Sequence, residues 1–200
     1  MDWDTLAGTY NAQLWLERRP LRAAVALACP RAGQRVLDVG TGTGAVLELL
    51  ARRAPMPLHA TGVDSSPAML SRVKPLPIGW QLLTADIGAL PLDSQSFDVA
   101  VASYVLHVLD EPARLPALRE INRVLRRDGV LVTVTPTLPL GSDHPIYRRI
   151  ARRLEAESGP LRGLLPLDPR ASLRAAGFEI DRVRRVWLGY PSLCVRARRR

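Results

Sequence analysis

The 200-residue chain is poor in cysteine, lysine and aromatic side chains. Its two cysteines, Cys29 and Cys194, sit at opposite ends of the sequence with no metal-ligand spacing, which argues against a disulfide scaffold and a zinc module. They read as reduced thiols in a cytoplasmic protein. No window approaches the roughly eighteen apolar residues of a bilayer span. The opening "MDWDTLAG" is acidic where a secretory leader is basic. Aromatic residues make up 5% of the chain and are not interleaved with a basic stretch, which speaks against a surface for single-stranded nucleic acid. Lys74 is the only lysine, so the cationic surface is arginine.

What is present is a hydrophobic fraction of 47%, enough for one globular domain with a real core. The net charge of +9 is unevenly spread: residues 1–100 carry nine basic and nine acidic side chains, residues 101–200 nineteen and ten. Two readings stay open. Either the composition is biased toward arginine, or the second half meets an anionic partner such as phospholipid headgroups, a carboxylate substrate or nucleic acid.

Strands and helices alternate. "AQLWLERRPLRAAVALA" has helical spacing at Leu14, Leu21, Val25 and Ala28, with a break predicted at Pro20. "RVLDV" is a strand, followed by a glycine loop and a helix over about 45–53. "LHATGVD" is a second strand closing on Asp64, and "SSPAMLSRV" opens a helix with a serine cap. "GWQLLTAD" gives a third strand ending at Asp86, and "FDVAVASYVL" a fourth of the kind buried on both faces. Leu118, Ile121, Val124 and Leu125 form a helical stripe that Gly129 ends, before the fifth strand "VLVTVTP". "HPIYRRIARRLEAESG" is amphipathic, "DPRASLRAAGF" a short helix, and the last residues two strands turning near Gly189, Tyr190 and Pro191. So short a turn allows a hairpin but no crossover helix. The expected fold is α/β, a doubly wound, mostly parallel seven-stranded sheet with an antiparallel C-terminal strand.

"RVLDVGTGTGAVLELL" carries the chemistry. Gly40, Gly42 and Gly44 follow a strand and precede a helix, a backbone arranged to approach a nucleotide. The run also satisfies the looser dinucleotide pattern, and Asp64 lies where a ribose-binding acid belongs. Asp38 weighs against that reading: a carboxylate at the loop repels a pyrophosphate by about a kcal/mol or more. It suits instead a ligand with an ammonium and a sulfonium. Asp64 is placed to accept from both hydroxyls of a ribose, and Asp86 from an adenine amino group. Ile87 adds an apolar wall. Three acids at the carboxyl ends of three successive strands converge on one crevice.

"VLDVGTGTG", "GVDSSPAML", "TADIGALPLDSQSFDVAVASYVLHVLDEP" and "EINRVLRRDGVLVTVTP" resemble successive motifs of the class I S-adenosylmethionine-dependent methyltransferases, with the Rossmann-like fold of that family. The likeness spans roughly residues 35–136 and is greatest to the group acting on quinones, phospholipids and other small molecules. It implies S-adenosylmethionine as cofactor. Gly40, Gly42 and Gly44 would line its methionine part, Asp64 the ribose, and Met69, Asp86 and Ile87 the adenine, with Asp38, Thr41 and Ser65 also expected among the cofactor-binding residues. Ser103 would approach the methionine amino group.

The acceptor side is not carried by the likeness. His107 is the candidate general base, with packing as its other reading. Tyr10, Tyr104, His144 and Tyr147 are candidates for lining the substrate pocket. The segments divide into an N-terminal helical cap (1–32), a cofactor core (33–136) and a substrate-side helix with hairpin (137–200). That leaves room for a small molecule or a lipid headgroup, with the basic C-terminal half near an anionic membrane surface. Nucleic acid is disfavoured, since the Asn/Asp-Pro-Pro-aromatic motif of many amino-methylating nucleic-acid enzymes is missing. A nicotinamide-dependent oxidoreductase and a non-catalytic binding protein are the alternatives; the first would bind NADH without responding to S-adenosylmethionine.

Overall fold

The computed structural model describes residues 14–138 and 165–200, together with Pro145 and Arg149. In chain order the elements are α1 (Leu14–Ala28), β1 (Arg35–Val39), α2 (Ala45–Ala51), β2 (His59–Asp64), α3 (Pro67–Leu70) and β3 (Gln81–Thr84). Then follow β4 (Phe97–Ser103), α4 (Glu111–Val124), β5 (Leu125–Pro136), α5 (Arg170–Ala175), β6 (Phe178–Val186) and β7 (Ser192–Arg199). The seven strands form one sheet in the order β3-β2-β1-β4-β5-β7-β6. All pairs through β5 are parallel, and β7 runs antiparallel to both of its neighbours. The order reverses between β1 and β4, where a doubly wound sheet opens a crevice at its carboxyl edge.

Period-two alternation assigns each strand residue to one of two cores. Val36, Val99, Val101, Val132 and Cys194 pack with Leu21, Val25, Leu47 and Leu50 of α1 and α2. Leu37, Val39, Ala100, Leu131 and Val195 pack with Leu118, Ile121 and Val124 of α4 and Leu173 of α5. Burying each large aliphatic side chain contributes about 1.5–3 kcal/mol. Asp38 shares the parity of Val36 and so lies on the α1/α2 face, fully buried.

Three local expectations need correction. Pro20 does not break the first helix, which runs continuously from Leu14 to Ala28. Proline lacks the N–H that would bond the carbonyl four residues back. That carbonyl, on Leu16, accepts instead from the Tyr190 N–H at 2.9 Å. A loop from the far end of the chain thus satisfies the helix where proline cannot. Gly189 makes the approach possible: its φ is +90°, and a Cβ there would collide with the Leu16 carbonyl oxygen.

Gly129 is not the stop of α4 either. The helix ends at Val124 as Leu125 turns to extended backbone. Gly129 belongs to an irregularity in which register passes from Phe97↔Leu125 to Val99↔Val130, with Asp128 at φ +61°. The third correction is length. α2 stops at Ala51 and α3 is a single turn, capped by Ser66, whose Oγ accepts from the Met69 N–H at 3.1 Å. β3 ends at Thr84, two residues before Asp86.

Candidate active site

Each of the first four strands ends at the same edge, and the loops that follow enclose a cavity of about 200 Å³. Gly40 and Gly42 come from the loop after β1, Asp64 and Ser65 from the end of β2, Met69 from α3, Asp86 and Ile87 from beyond β3, and Ser103 and Tyr104 from the end of β4. All nine were singled out in the sequence. Tyr104, expected on the acceptor side, is therefore part of this same wall.

Asp64 is the hinge of the site. Its Oδ2 accepts from the Gly42 N–H at 2.8 Å and its Oδ1 from the Ser66 N–H at 2.9 Å. The carboxylate is thereby locked in place, and each oxygen keeps a lone pair for a further donor. Asp86 is held likewise by the Gly88 N–H at 2.7 Å. The Thr41 N–H donates to the Val63 carbonyl at 2.9 Å, tying the glycine loop to β2.

Asp38 lies below the loop rather than in the cavity lining. Thr41 Oγ1 donates to its Oδ2 at 2.5 Å, whereas its Oδ1 is buried with no hydrogen-bond partner. Burial pushes the Asp38 carboxyl up to about 7; the Thr41 bond opposes the shift and the charge of Asp64 adds to it. A buried carboxylate with one oxygen unmatched suits a nearby cation. Thr41 serves as its partner, and Gly44 caps α2 outside the lining.

Val105, Val108 and Leu109 complete the cavity wall. Sequence reasoning passed over them in favour of His107, although "YVLHVL" shows an apolar run continuing past the strand. Val105 closes directly over Gly40, where φ is +66° and a Cβ would stand 2.7 Å from Val105 Cγ2. That closure depends on Tyr104, which takes φ +54° and turns the chain back over the loop. The Tyr104 hydroxyl and Ser192 Oγ lie 2.7 Å apart, and Ser192 Oγ donates to the Tyr190 carbonyl at 2.7 Å. Burial pushes the Tyr104 phenol well above its ordinary range, with Glu17 adding to the shift, so the hydroxyl stays protonated.

His107 is buried and meets the Tyr104 ring edge-on, with centroids 6.2 Å apart; it does not line the cavity. Tyr10, His144 and Tyr147 lie outside the described residues, as does most of the amphipathic segment that follows β5.

The donor and acceptor balance tests what the cavity holds. Among the described residues its lining carries two carboxylates and no basic side chain, so a pyrophosphate would meet like charge without a counterion. A ligand with hydroxyls, an amino-bearing ring and a positive charge meets acceptors at every turn. S-adenosylmethionine fits this set. Among the described residues no cluster of His, Cys, Asp and Glu is arranged to hold a metal ion, and no helix is long and apolar enough to cross a membrane.

Comparison with known proteins agrees with the geometry. The family described as "Methyltransferase domain" matches residues 37–133. The ubiquinone/menaquinone biosynthesis C-methyltransferase UbiE of Citrifermentans bemidjiense is 37% identical over 65% of this chain and 58% of its own length. This chain therefore spans less than two thirds of that relative. The carboxy-S-adenosyl-L-methionine synthase of Dichelobacter nodosus is 32% identical over 74% of this chain and 68% of its own. Among solved structures, an S-adenosylmethionine-dependent methyltransferase from Mesorhizobium loti superposes with a TM-score of 0.66 at 24% identity, covering 92% of this chain and 98% of that one, which speaks to the fold. On these relatives the chain belongs to the class I S-adenosylmethionine-dependent methyltransferase family, and S-adenosylmethionine is its cofactor.

Proposed function

We propose that this protein is a cytoplasmic enzyme that transfers a methyl group to a nucleophilic atom of an apolar small molecule or of a lipid headgroup. One observation carries the reading: a cavity at the carboxyl edge whose charged groups among the described residues are carboxylates, facing an apolar wall of Val105, Val108 and Leu109. The cofactor, when bound, supplies a methyl group already activated on sulfonium. What remains for the protein is alignment and exclusion of water, which can contribute on the order of 7–11 kcal/mol.

In this reading Asp64 holds the ribose diol, Asp86 and Ile87 the adenine, and Met69 packs against the ring. Gly40, Gly42, Ser65 and Ser103 let the chain pass close to the ligand, and Asp38 offsets its positive charge from below. Val105, Val108 and Leu109 keep water from the reacting centre. The N-terminal segment 1–32 caps the core 33–136, and residues 137–200 hold the acceptor, with Tyr10, His144 and Tyr147 assigned to that side. The UbiE relative is named for a quinone pathway, and an apolar ring is the acceptor this wall suits.

The carboxy-S-adenosylmethionine synthase relative raises a different chemistry on the same cofactor. A carboxylated product adds a second carboxylate to the one the cofactor already carries, next to Asp64 and Asp86 and with no cation in the described lining. Methyl transfer is therefore favoured. His107 supports the Tyr104 wall in this reading and takes no proton, so His107→Ala should lower kcat without altering its pH profile.

Calorimetric titration of S-adenosylmethionine tests the core of the proposal. We expect micromolar binding by the full chain and a loss of tenfold or more in Asp64→Ala. Transfer of a labelled methyl group to quinone-like and phenolic acceptors then tests the reaction. A folded protein that binds NADH and ignores S-adenosylmethionine would overturn both.

A further inference from the structure

The sequence places its strongest basic run at the C-terminus, "RARRR", yet the fold neutralises much of it. Arg196 and Arg198 both pair with Asp181 across the β6–β7 ladder, and Arg200 pairs with Glu179. Arg199 donates to the carbonyls of Arg123 and Leu125. A second basic patch with no such partners lies along a groove between α1 and the end of β6.

On α1, Trp15, Arg19 and Arg22 recur at helical spacing and so share one stripe. Trp15 is 68% exposed. Facing that helix across the groove is Arg184 of β6, which shares the sheet face of Cys194, and the turn beyond adds Trp187 and Leu188; Arg185 points to the opposite face, toward Asp168. Trp187 and Leu188 are 47% and 64% exposed. None of Arg19, Arg22 and Arg184 makes an ion pair with a carboxylate among the described residues. The two sides are locked together by the Tyr190–Leu16 hydrogen bond, which closes one end of the groove.

We propose that this groove seats the protein on an anionic bilayer surface. Trp187 and Leu188 enter the headgroup region while the guanidiniums of Arg19, Arg22 and Arg184 pair with lipid phosphates. The mixture of groups decides the occupant. Tryptophan is favoured at the membrane interface, and arginine lays its stem along apolar surface while its head stays with phosphate. Weak, reversible anchoring takes an apolar insertion and a basic patch together, and both are present. A nucleic acid would use the guanidiniums and the indole faces but has no use for the exposed Leu188.

The surface also adjoins the cavity. Leu188 leads through Gly189 to Tyr190, whose ring centroid is 5.5 Å from that of Tyr104 in the cavity wall. A protein seated on the bilayer would thus hold its cavity one turn from an acceptor dissolved there. The docking itself does not depend on the methyl-transfer reading, because vesicle binding is measured without cofactor.

The test is co-sedimentation of the full chain with vesicles of phosphatidylcholine alone and of phosphatidylcholine with phosphatidylglycerol. Binding is expected only to the second, and to weaken with salt. The Arg19→Gln/Arg22→Gln/Arg184→Gln variant should lose roughly a hundredfold in partitioning, at about fivefold per charge. Trp187→Ser/Leu188→Ser should lose about tenfold or more with the salt dependence kept, and brominated lipid should quench the wild-type fluorescence more than that of Trp187→Phe. If the Trp187/Leu188 variant fails to fold, the arginine variant and the quenching decide. Failure to bind anionic vesicles, equal binding to both vesicle types, or wild-type partitioning in the variants would each overturn the proposal. So would retention on single-stranded RNA without vesicle binding, which would make the groove a nucleic-acid site.

Discussion

Asp38 allows a proton to be followed from structure to binding. Its carboxyl is fully buried and titrates at about 7 in the folded protein, against an ordinary value of 3.8. Because the folded value is the higher one, its contribution to stability is complete below pH about 4, declines as pH rises and is lost above about 7. The amount is of the order of 4 kcal/mol for the protein without ligand. A cationic ligand beside Asp38 reverses the balance by favouring the ionised form. Binding at pH 6, where roughly nine in ten Asp38 carboxyls carry a proton, should then release close to 0.9 proton per site. The affinity for S-adenosylmethionine should weaken about eightfold from pH 7.5 to pH 6. Calorimetry in buffers of different ionisation enthalpy measures both, and staying below pH 7.5 keeps the ligand's α-amino group, with an ordinary pKa of about 7.7–8.0, mostly protonated. Asp38→Asn should abolish the proton release, flatten the pH profile and raise the melting temperature of the unliganded protein above pH 7. Unchanged proton release in Asp38→Asn, or a flat wild-type profile, would refute the assignment of charge to this carboxylate.

Two further predictions concern stability. Gly189→Ala places a Cβ against the Leu16 carbonyl at φ +90°, so it should cost about 2–3 kcal/mol through backbone strain and the weakened Tyr190–Leu16 bond; the melting temperature should fall by roughly 5–10 °C. Arg123 donates to the carbonyls of Leu90 and Leu92 and pairs with Glu120, whose own carboxylate accepts from the Leu90 N–H. Arg123→Ala should cost about 1–3 kcal/mol and speed amide exchange in the loop before β4. Glu120 is held below its ordinary range chiefly by the Arg123 hydrogen bond, so its share is present above the unfolded carboxyl value and lost as pH falls through the lower folded one. The cost of Arg123→Ala should therefore shrink in acid, a pH dependence opposite in sign to that of Asp38, and thermal melts at pH 3 and pH 7 check it.

The sheet was legible because each central strand is covered on both faces, which writes a short, continuous apolar run into the sequence. The cofactor side was legible for a related reason: Asp38 and Asp64 mark where such a run reaches the carboxyl edge, and Asp86 follows the edge strand β3 by two residues. What escaped depends on partners distant in sequence. Pro20 reads as a break until Tyr190 is known to satisfy Leu16. The partners of the terminal arginines escaped because a register shift between Ile180 and Arg182, invisible in the sequence, leaves Asp181 beside Arg196. Gly129 reads as a helix stop because local pattern cannot distinguish a cap from a bulge against a neighbouring strand.

The first of those long-range contacts, through Tyr190, reaches Tyr104, and it helps explain why a bulky residue tolerates positive φ there. Such a backbone costs of the order of 1–2 kcal/mol and persists only when its surroundings fix it. At Tyr104 the N–H is fixed by the Val134 carbonyl at 2.8 Å, the hydroxyl by Ser192 and the ring by Tyr190. The reward is Val105 closing on Gly40, which forms one wall of the cavity. Because Tyr190 also bonds Leu16, loosening α1 should loosen that wall without touching a cofactor-binding residue. The site is therefore held from the side opposite its glycine loop. Gly189→Ala separates the two ways this could fail: lower stability with unchanged cofactor affinity would leave the hairpin a structural brace, whereas a joint loss would make it a support of the site.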